Sequence, residues 1–208
     1  MESFVLRGDN DMNCHLLVEG SDCYVVDPGF ERDRLRREIS SRGLRVVGTL
    51  LTHAHMDHFG AADAFDAPVF LHEADVALLC DPEGNGFAFF GLPMPFDPRS
   101  LKLRFVAEGD ALPLGAESIR VMHAPGHTPG GVCYAFRGEL CSGDTLFRQA
   151  VGRWDFPGGD EEALRASVLR LIDTLPPETK VYPGHGPATT IAYERSRNPF
   201  YAQWRARR

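Results

Sequence analysis

Apolar residues along this chain come in short runs separated by turn-forming residues. CHLLV (14–18) and CYVVD (23–27) flank EGSD, and Pro28-Gly29 closes the second run, which is the pattern of a hairpin. Antiparallel strands therefore open the fold. In ERDRLRREISSRG (31–43) the period changes: Leu35 and Ile39 lie four apart, charges fill the other face, and Gly43 stands where a helix would end. RVVGTLL (45–51) is β-branched and nearly all apolar, as in a strand covered on both faces. Further strands are predicted at PVFL (68–71), SIRVM (118–122), GVCYAF (131–136), LCSGD (140–144) and KVYPG (180–184), with a helix over 160–174. The chain thus mixes hairpins with helices over its full length, as an α/β protein does. DPEGNGFAFFGLPMPFDPRS (81–100) follows no period; its Phe87, Phe89, Phe90 and Phe96 suit a substrate mouth, or packing over the core or at a subunit contact.

At 208 residues the chain is about one and a half typical domains long, which favours one domain over 1–208. A formal charge of −7 repels phosphate backbones and disfavours nucleic acid as a partner. No apolar run approaches the ~20 residues that span a bilayer. The start, MESFVLRGDNDMN, lacks the cations and apolar stretch of a secretory leader, so a cytoplasmic protein is expected. Five cysteines, Cys14, Cys23, Cys80, Cys133 and Cys141, form no C-x-x-C pair and are expected to be buried, reduced thiols. Lys102 and Lys180 are the only lysines, a bias without a functional account.

One stretch changes the picture. THAHMDHFG (52–60) places His53, His55, Asp57 and His58 just past a predicted strand, where a sheet can hold a loop rigid. Four such residues cannot complete two metal sites, because zinc takes four or five nitrogen and oxygen donors. His127 in APGHTPGG, Asp144 in CSGDTLF and His185 in YPGHGP share the setting, each after a predicted strand and beside glycine. Five histidines and two aspartates suffice for two metals if one aspartate bridges them. That donor set suits zinc, iron or manganese. His15, His72 and His123 join no ligand pattern and read as ordinary core or capping histidines.

The order H-x-H-x-D-H, then histidine, aspartate and histidine, resembles the metallo-β-lactamase superfamily over essentially the whole chain. The resemblance implies a four-layer αββα sandwich of two mixed β-sheets with a dinuclear site at one edge. It also implies that His53, His55 and His127 hold a first metal, that Asp57, His58 and His185 hold a second, and that Asp144 bridges. Two divalent ions are expected, zinc before iron or manganese. Asp144 departs from the superfamily's true β-lactamases, which lack a bridging aspartate, and His55 departs from the flavodiiron branch, which has glutamate there.

SGDTLFRQAVGRWDFPGGD (142–160) and YPGHGPATTIAYERSRNPF (182–200) resemble the short hydroxyacylglutathione hydrolases, the glyoxalase II-like branch. Those proteins cleave S-D-lactoylglutathione or related thioesters to an acid and a thiol. Only 23 residues follow His185, so no counterpart of the longer enzymes' C-terminal helical substrate domain is expected. Arg153 stands where they carry a glutathione-binding lysine and is the substrate-binding candidate, with pairing to Asp155 or helix capping as its structural alternatives. ERSRNPFYAQWRARR (194–208) offers further cations or a solvated tail, the tail being the commoner outcome.

A bound cation lowers the pKa of water from ~15.7 to about 7. Hydroxide would then attack the thioester carbonyl, with Asp57 orienting it as well as binding metal. Thiols ionise near ~8.5, so no dedicated general acid is needed. The expected partner is a small-molecule thioester; oligomeric state is left open. The alternatives are a persulfide dioxygenase with one iron, which tends to have glutamine at Pro157, an RNA-processing nuclease, and a non-catalytic metal-binding protein.

Overall fold

The computed structural model describes residues 2–5 and 12–207. The opening stretch read against a secretory leader lies mainly outside them. In chain order the elements are β1 (Glu2–Val5), β2 (Asn13–Glu19), β3 (Asp22–Val26), α1 (Arg32–Ser41), β4 (Arg45–Leu50), α2 (Met56–Phe59), β5 (Val69–His72), α3 (Val76–Leu79), β6 (Leu103–Val106), β7 (Ala111–Leu114), β8 (Glu117–His123), β9 (Val132–Phe136), β10 (Glu139–Gly143), β11 (Leu146–Phe147), β12 (Ala150–Val151), α4 (Glu161–Thr174), β13 (Lys180–Pro183), β14 (Thr189–Thr190), α5 (Ile191–Arg197) and α6 (Pro199–Arg205).

The first sheet runs β1-β2-β3-β4-β5-β6 and the second β14-β13-β10-β9-β8-β7. Both are mixed: β2 and β3 pair antiparallel while β3 and β4 pair parallel, and β9 and β10 pair antiparallel while β10 and β13 pair parallel. Side-chain alternation explains the layers. Along β3, Tyr24 and Val26 face the second sheet with Val121, Tyr134 and Cys141, whereas Cys23 and Val25 pack under Leu35 and Ile39 of α1. Along β9, Val132, Tyr134 and Phe136 face the first sheet, and Cys133 turns to Leu164, Val168 and Ile172 of α4. Strands buried on both faces read as continuous apolar runs, which is why the sequence pattern located them. The result is helix on sheet on sheet on helix, the expected αββα arrangement.

Helix ends follow local chemistry. Asp160 caps α4, its carboxylate accepting from Ala163 N at 2.9 Å, and Glu161 and Glu162 sit at the positive end of the helix dipole. Gly43 takes a left-handed φ of 64° just past α1, as its position suggested.

Two expectations are corrected and a third is divided. The stretch 194–208 is no solvated tail over its described part: Thr190 and Asn198 cap α5 and α6, Pro199 opens α6, and Tyr201 and Trp204 are buried against α4. Its cations mask an apolar face. Cys80 is exposed, whereas the other four thiols are buried. The phenylalanines of 81–100 divide: Phe87 is buried and Phe96 packs beside it, while Phe89 and Phe90 are 80% and 58% exposed.

Candidate metal centre

Five loops leave the ends of β3, β4, β8, β10 and β13 on the same rim of the sandwich. Past β4, the chain carries Thr52, His53 and His55 and then enters α2, which holds Asp57 and His58 on its first turn. His127 follows β8, Asp144 follows β10 and His185 follows β13. The first sheet therefore supplies four of the seven predicted residues and the second supplies three.

All seven come together. Ligand-capable atoms cluster in three overlapping groups, His53/His55/His127, His53/His58/Asp144 and Asp57/His58/His185, each group lying within 4.8 Å. Asp144 is central: one or other of its oxygens lies 3.4 Å from His58 Nε2, 3.7 Å from His127 Nε2 and 3.7 Å from His185 Nε2. His185 Nε2 is 3.2 Å from Asp57 Oδ2, and His55 Nδ1 is 2.9 Å from His127 Nε2. Gly184 has to be glycine, because a Cβ there would collide with Asp144 Oδ1 and His58 Cε1.

Hydrogen bonds at the outer nitrogens aim the rings. His58 Nδ1 donates to Asp27 Oδ2 at 2.9 Å and His127 Nδ1 to the Arg153 carbonyl at 2.6 Å, which turns both Nε2 atoms inward. His53 Nδ1 lies 3.0 Å from Thr52 Oγ1, itself a donor to Asp27. His53 Nε2, His55 Nε2, His58 Nε2 and Asp144 Oδ1 are buried without a hydrogen bond, the last two facing each other at 3.4 Å. Buried polar atoms of this kind are rare in folded proteins, and four in one cluster fit a bound cation.

The electrostatics agree. His53 is held well below the ordinary imidazole range by burial, reinforced by His58, His127 and His55. Burial, with His127 beside it, lowers His55 to about 3. Burial opposes the charged forms of Asp144 and Asp57, yet His58 leads the neighbours that pull both carboxylates below their usual value. Burial likewise opposes charge on His58 and His185, but Asp144, Asp27 and Asp57 raise the first and Asp57 with Asp144 raises the second. These carboxylates thus call for positive charge between them, and protons and metal ions compete for the same atoms.

Three residues escaped the sequence reading. Asp27 closes β3 with a left-handed φ of 50°; its carboxylate accepts from Thr52 N (2.8 Å), Thr52 Oγ1 (2.7 Å) and His58 Nδ1 (2.9 Å). Its signal was an aspartate ending an apolar strand, the same setting as Asp144. Asp75 is fully buried and accepts from Ala54 N (3.0 Å), Thr128 Oγ1 (2.8 Å) and Gly130 N (2.6 Å), so one carboxylate ties the His53–His55 loop to the His127 loop. Asn13 holds the His185 loop through Nδ2 to the carbonyls of Pro183 (3.1 Å) and Gly186 (2.8 Å). Neither has a spacing that marks it. His15 is buried with Nε2 3.2 Å from the Pro183 carbonyl, and His72 stacks on His123 at 4.1 Å.

A cavity of about 460 Å³ opens on the cluster, lined by His55, Asp57, His127 and Asp144 and by Phe89, Phe90 and Phe156. Arg153 lies at this cavity, but its Nε and Nη2 both donate to Asp155, each at 2.8 Å, and its guanidinium covers the Phe156 ring at 4.1 Å.

The chain belongs to the metallo-beta-lactamase superfamily, whose family model matches residues 7–185. Within it the chain is a metallo-hydrolase, similar to the probable metallo-hydrolase YqgX of Bacillus subtilis, 36% identical over 201 residues covering 93% of each chain. It is 33% identical to the hydroxyacylglutathione hydrolase GloC of Haemophilus influenzae, over 90% of this chain and 92% of that one. Among solved structures, TTHA1623 in a di-iron-bound form superposes with a TM-score of 0.84 at 42% identity, over 96% of this chain and 100% of that one. The BLEG-1 B3 metallo-beta-lactamase superposes at 0.88 and 36%, over 96% and 98%. No helix among the described residues is long and apolar enough to cross a membrane.

Proposed function

We propose that this chain is a thioester hydrolase that holds two divalent ions, zinc before iron or manganese, and acts on S-D-lactoylglutathione or a related acyl-thioester. The observation that carries the reading is the convergence of buried atoms without a hydrogen bond on His53, His55, His58 and Asp144 beside a cavity that His55 and Asp144 line. In this reading His53, His55 and His127 hold one ion, Asp57, His58 and His185 hold the other, and Asp144 is shared. Nitrogen and carboxylate donors without thiolate suit all three metals, and a similar fold carries two irons. The likeness to a hydroxyacylglutathione hydrolase supports the choice of a thioester.

Bound ions supply Lewis acidity and a water acidified into the neutral range. The protein's own part is placement. Asp57 lines the cavity and is kept ionised by His58 and His185, so it accepts a hydrogen bond from the attacking water and orients it. His127 cannot swing toward substrate, because its outer nitrogen is tied to Arg153 O. As the carbonyl carbon gains its bond to the water oxygen, the C–S bond breaks. One water proton goes to the sulfur and the other is released with the carboxylate.

The test is thiol release from a panel of acyl-thioesters by metal-replete protein, with a β-lactam and a glutathione persulfide alongside. Thiol and acid should appear in equal amounts, and both should cease on chelation. Oxygen uptake with the persulfide and no thiol release would replace this reading with a single-iron dioxygenase, and ring-opening of the β-lactam alone with a lactamase.

A further inference from the structure

We infer that the thioester taken by this site carries an apolar acyl group, seated between Phe89, Phe90 and Phe156, and an uncharged thiol carrier rather than an anionic peptide. The inference rests on the thioester reading above and narrows its substrate.

Two observations carry it. The first is the aromatic lining of the cavity that holds the candidate metal ligands. Phe89 and Phe90 meet edge to face at 5.1 Å, both largely exposed to water at the mouth of the cavity, and Phe156 reaches the ring of His55 at 5.5 Å. Exposed aromatics continuous with a buried reaction centre offer an apolar ligand a dry path from mouth to carbonyl. The second is the charge at that mouth. Arg153 is the only cation lining this cavity among the described residues, and its Nε and Nη2 both donate to Asp155, whose carboxylate offsets its charge. Glu83 adds a carboxylate to the same lining. A carrier with two carboxylates, such as glutathione, would meet one guanidinium already offset by Asp155, no second Lys or Arg among the described lining residues, and the Glu83 carboxylate. An uncharged carrier avoids that repulsion, and a longer acyl chain covers the exposed rings.

The experiment uses metal-loaded protein and compares kcat/KM for octanoyl- and acetyl-N-acetylcysteamine with that for S-D-lactoylglutathione. In parallel, calorimetry measures binding of the unreactive thioethers S-octyl-N-acetylcysteamine and S-methylglutathione. The octanoyl substrate should lead, and only the octyl thioether should bind measurably. Replacing Phe89→Ser and Phe90→Ser together should cut the octanoyl-to-acetyl ratio by about tenfold, the discrimination one or two buried methylenes support. Replacing Asp155→Asn frees the Arg153 fork and should raise kcat/KM for lactoylglutathione relative to the neutral substrates. Preference for lactoylglutathione, tighter binding of the glutathione thioether, or a chain-length ratio unmoved by the double replacement would each overturn the inference. Tight octyl binding with no cleavage of any thioester would leave the apolar seat standing and overturn the thioester reading instead.

Discussion

Removing the Asp75 carboxylate strips the acceptor from three donors at once: Ala54 N, Thr128 Oγ1 and Gly130 N. A buried donor left unpaired costs about 1–3 kcal/mol, and the loops partly relax, so Asp75→Ala should lose about 3 kcal/mol in urea unfolding. It should also weaken metal retention against a fixed chelator, since the loops bearing His53, His55 and His127 lose their common tie. Asp144→Ala should lose both bound metal and turnover, read by metal analysis and thiol release on the same sample. His15 gives a cleaner pH prediction than the cluster does. Burial holds its folded value below that of the unfolded chain, so the unfolded state binds the extra proton. Stability from this residue is present above pH ~6.5 and is lost as pH falls from there through the lowered folded value, at up to about 1.4 kcal/mol per pH unit. His15→Gln should flatten that part of the stability profile of metal-loaded protein. The seven candidate ligands were legible because their types and glycine-flanked settings announce chemistry. Asp75 and Asn13 were not, because a carboxylate or amide that only accepts from or donates to distant backbone has no local pattern.

At the scale of elements, legibility tracked burial. Strands such as β3 and β9 are covered on both faces and are apolar throughout, so their runs showed directly. The C-terminal helices were misread because Arg195, Arg197 and Arg205 dominate their composition while Tyr201 and Trp204, three apart on α6, make the contact. Glu194 adds a second anchor: fully buried, it accepts from Gln149 N at 2.8 Å and Asn198 Nδ2 at 2.9 Å, tying α5 to the loop between β11 and β12. Trp204→Ala should therefore cost about 3–5 kcal/mol, as for a large core residue. A solvated tail would show almost no change in denaturant midpoint.

For the whole molecule, the two sheets are the halves of one site. His53, His55, Asp57 and His58 ride on the first sheet, and His127, Asp144 and His185 on the second. Neither sheet alone can satisfy the donors, so an ion held between them binds the folded chain and not the unfolded one. Mass action then raises stability by about 4 kcal/mol when free metal stands a thousandfold above its dissociation constant. The account's central claim is that these side chains clasp two ions with Asp144 between them. Anomalous diffraction from crystals of the catalytically active, metal-replete protein tests it most directly. The account predicts two peaks about 3.5–4 Å apart flanking Asp144. A single peak, or none, in crystals of protein at full turnover would contradict it.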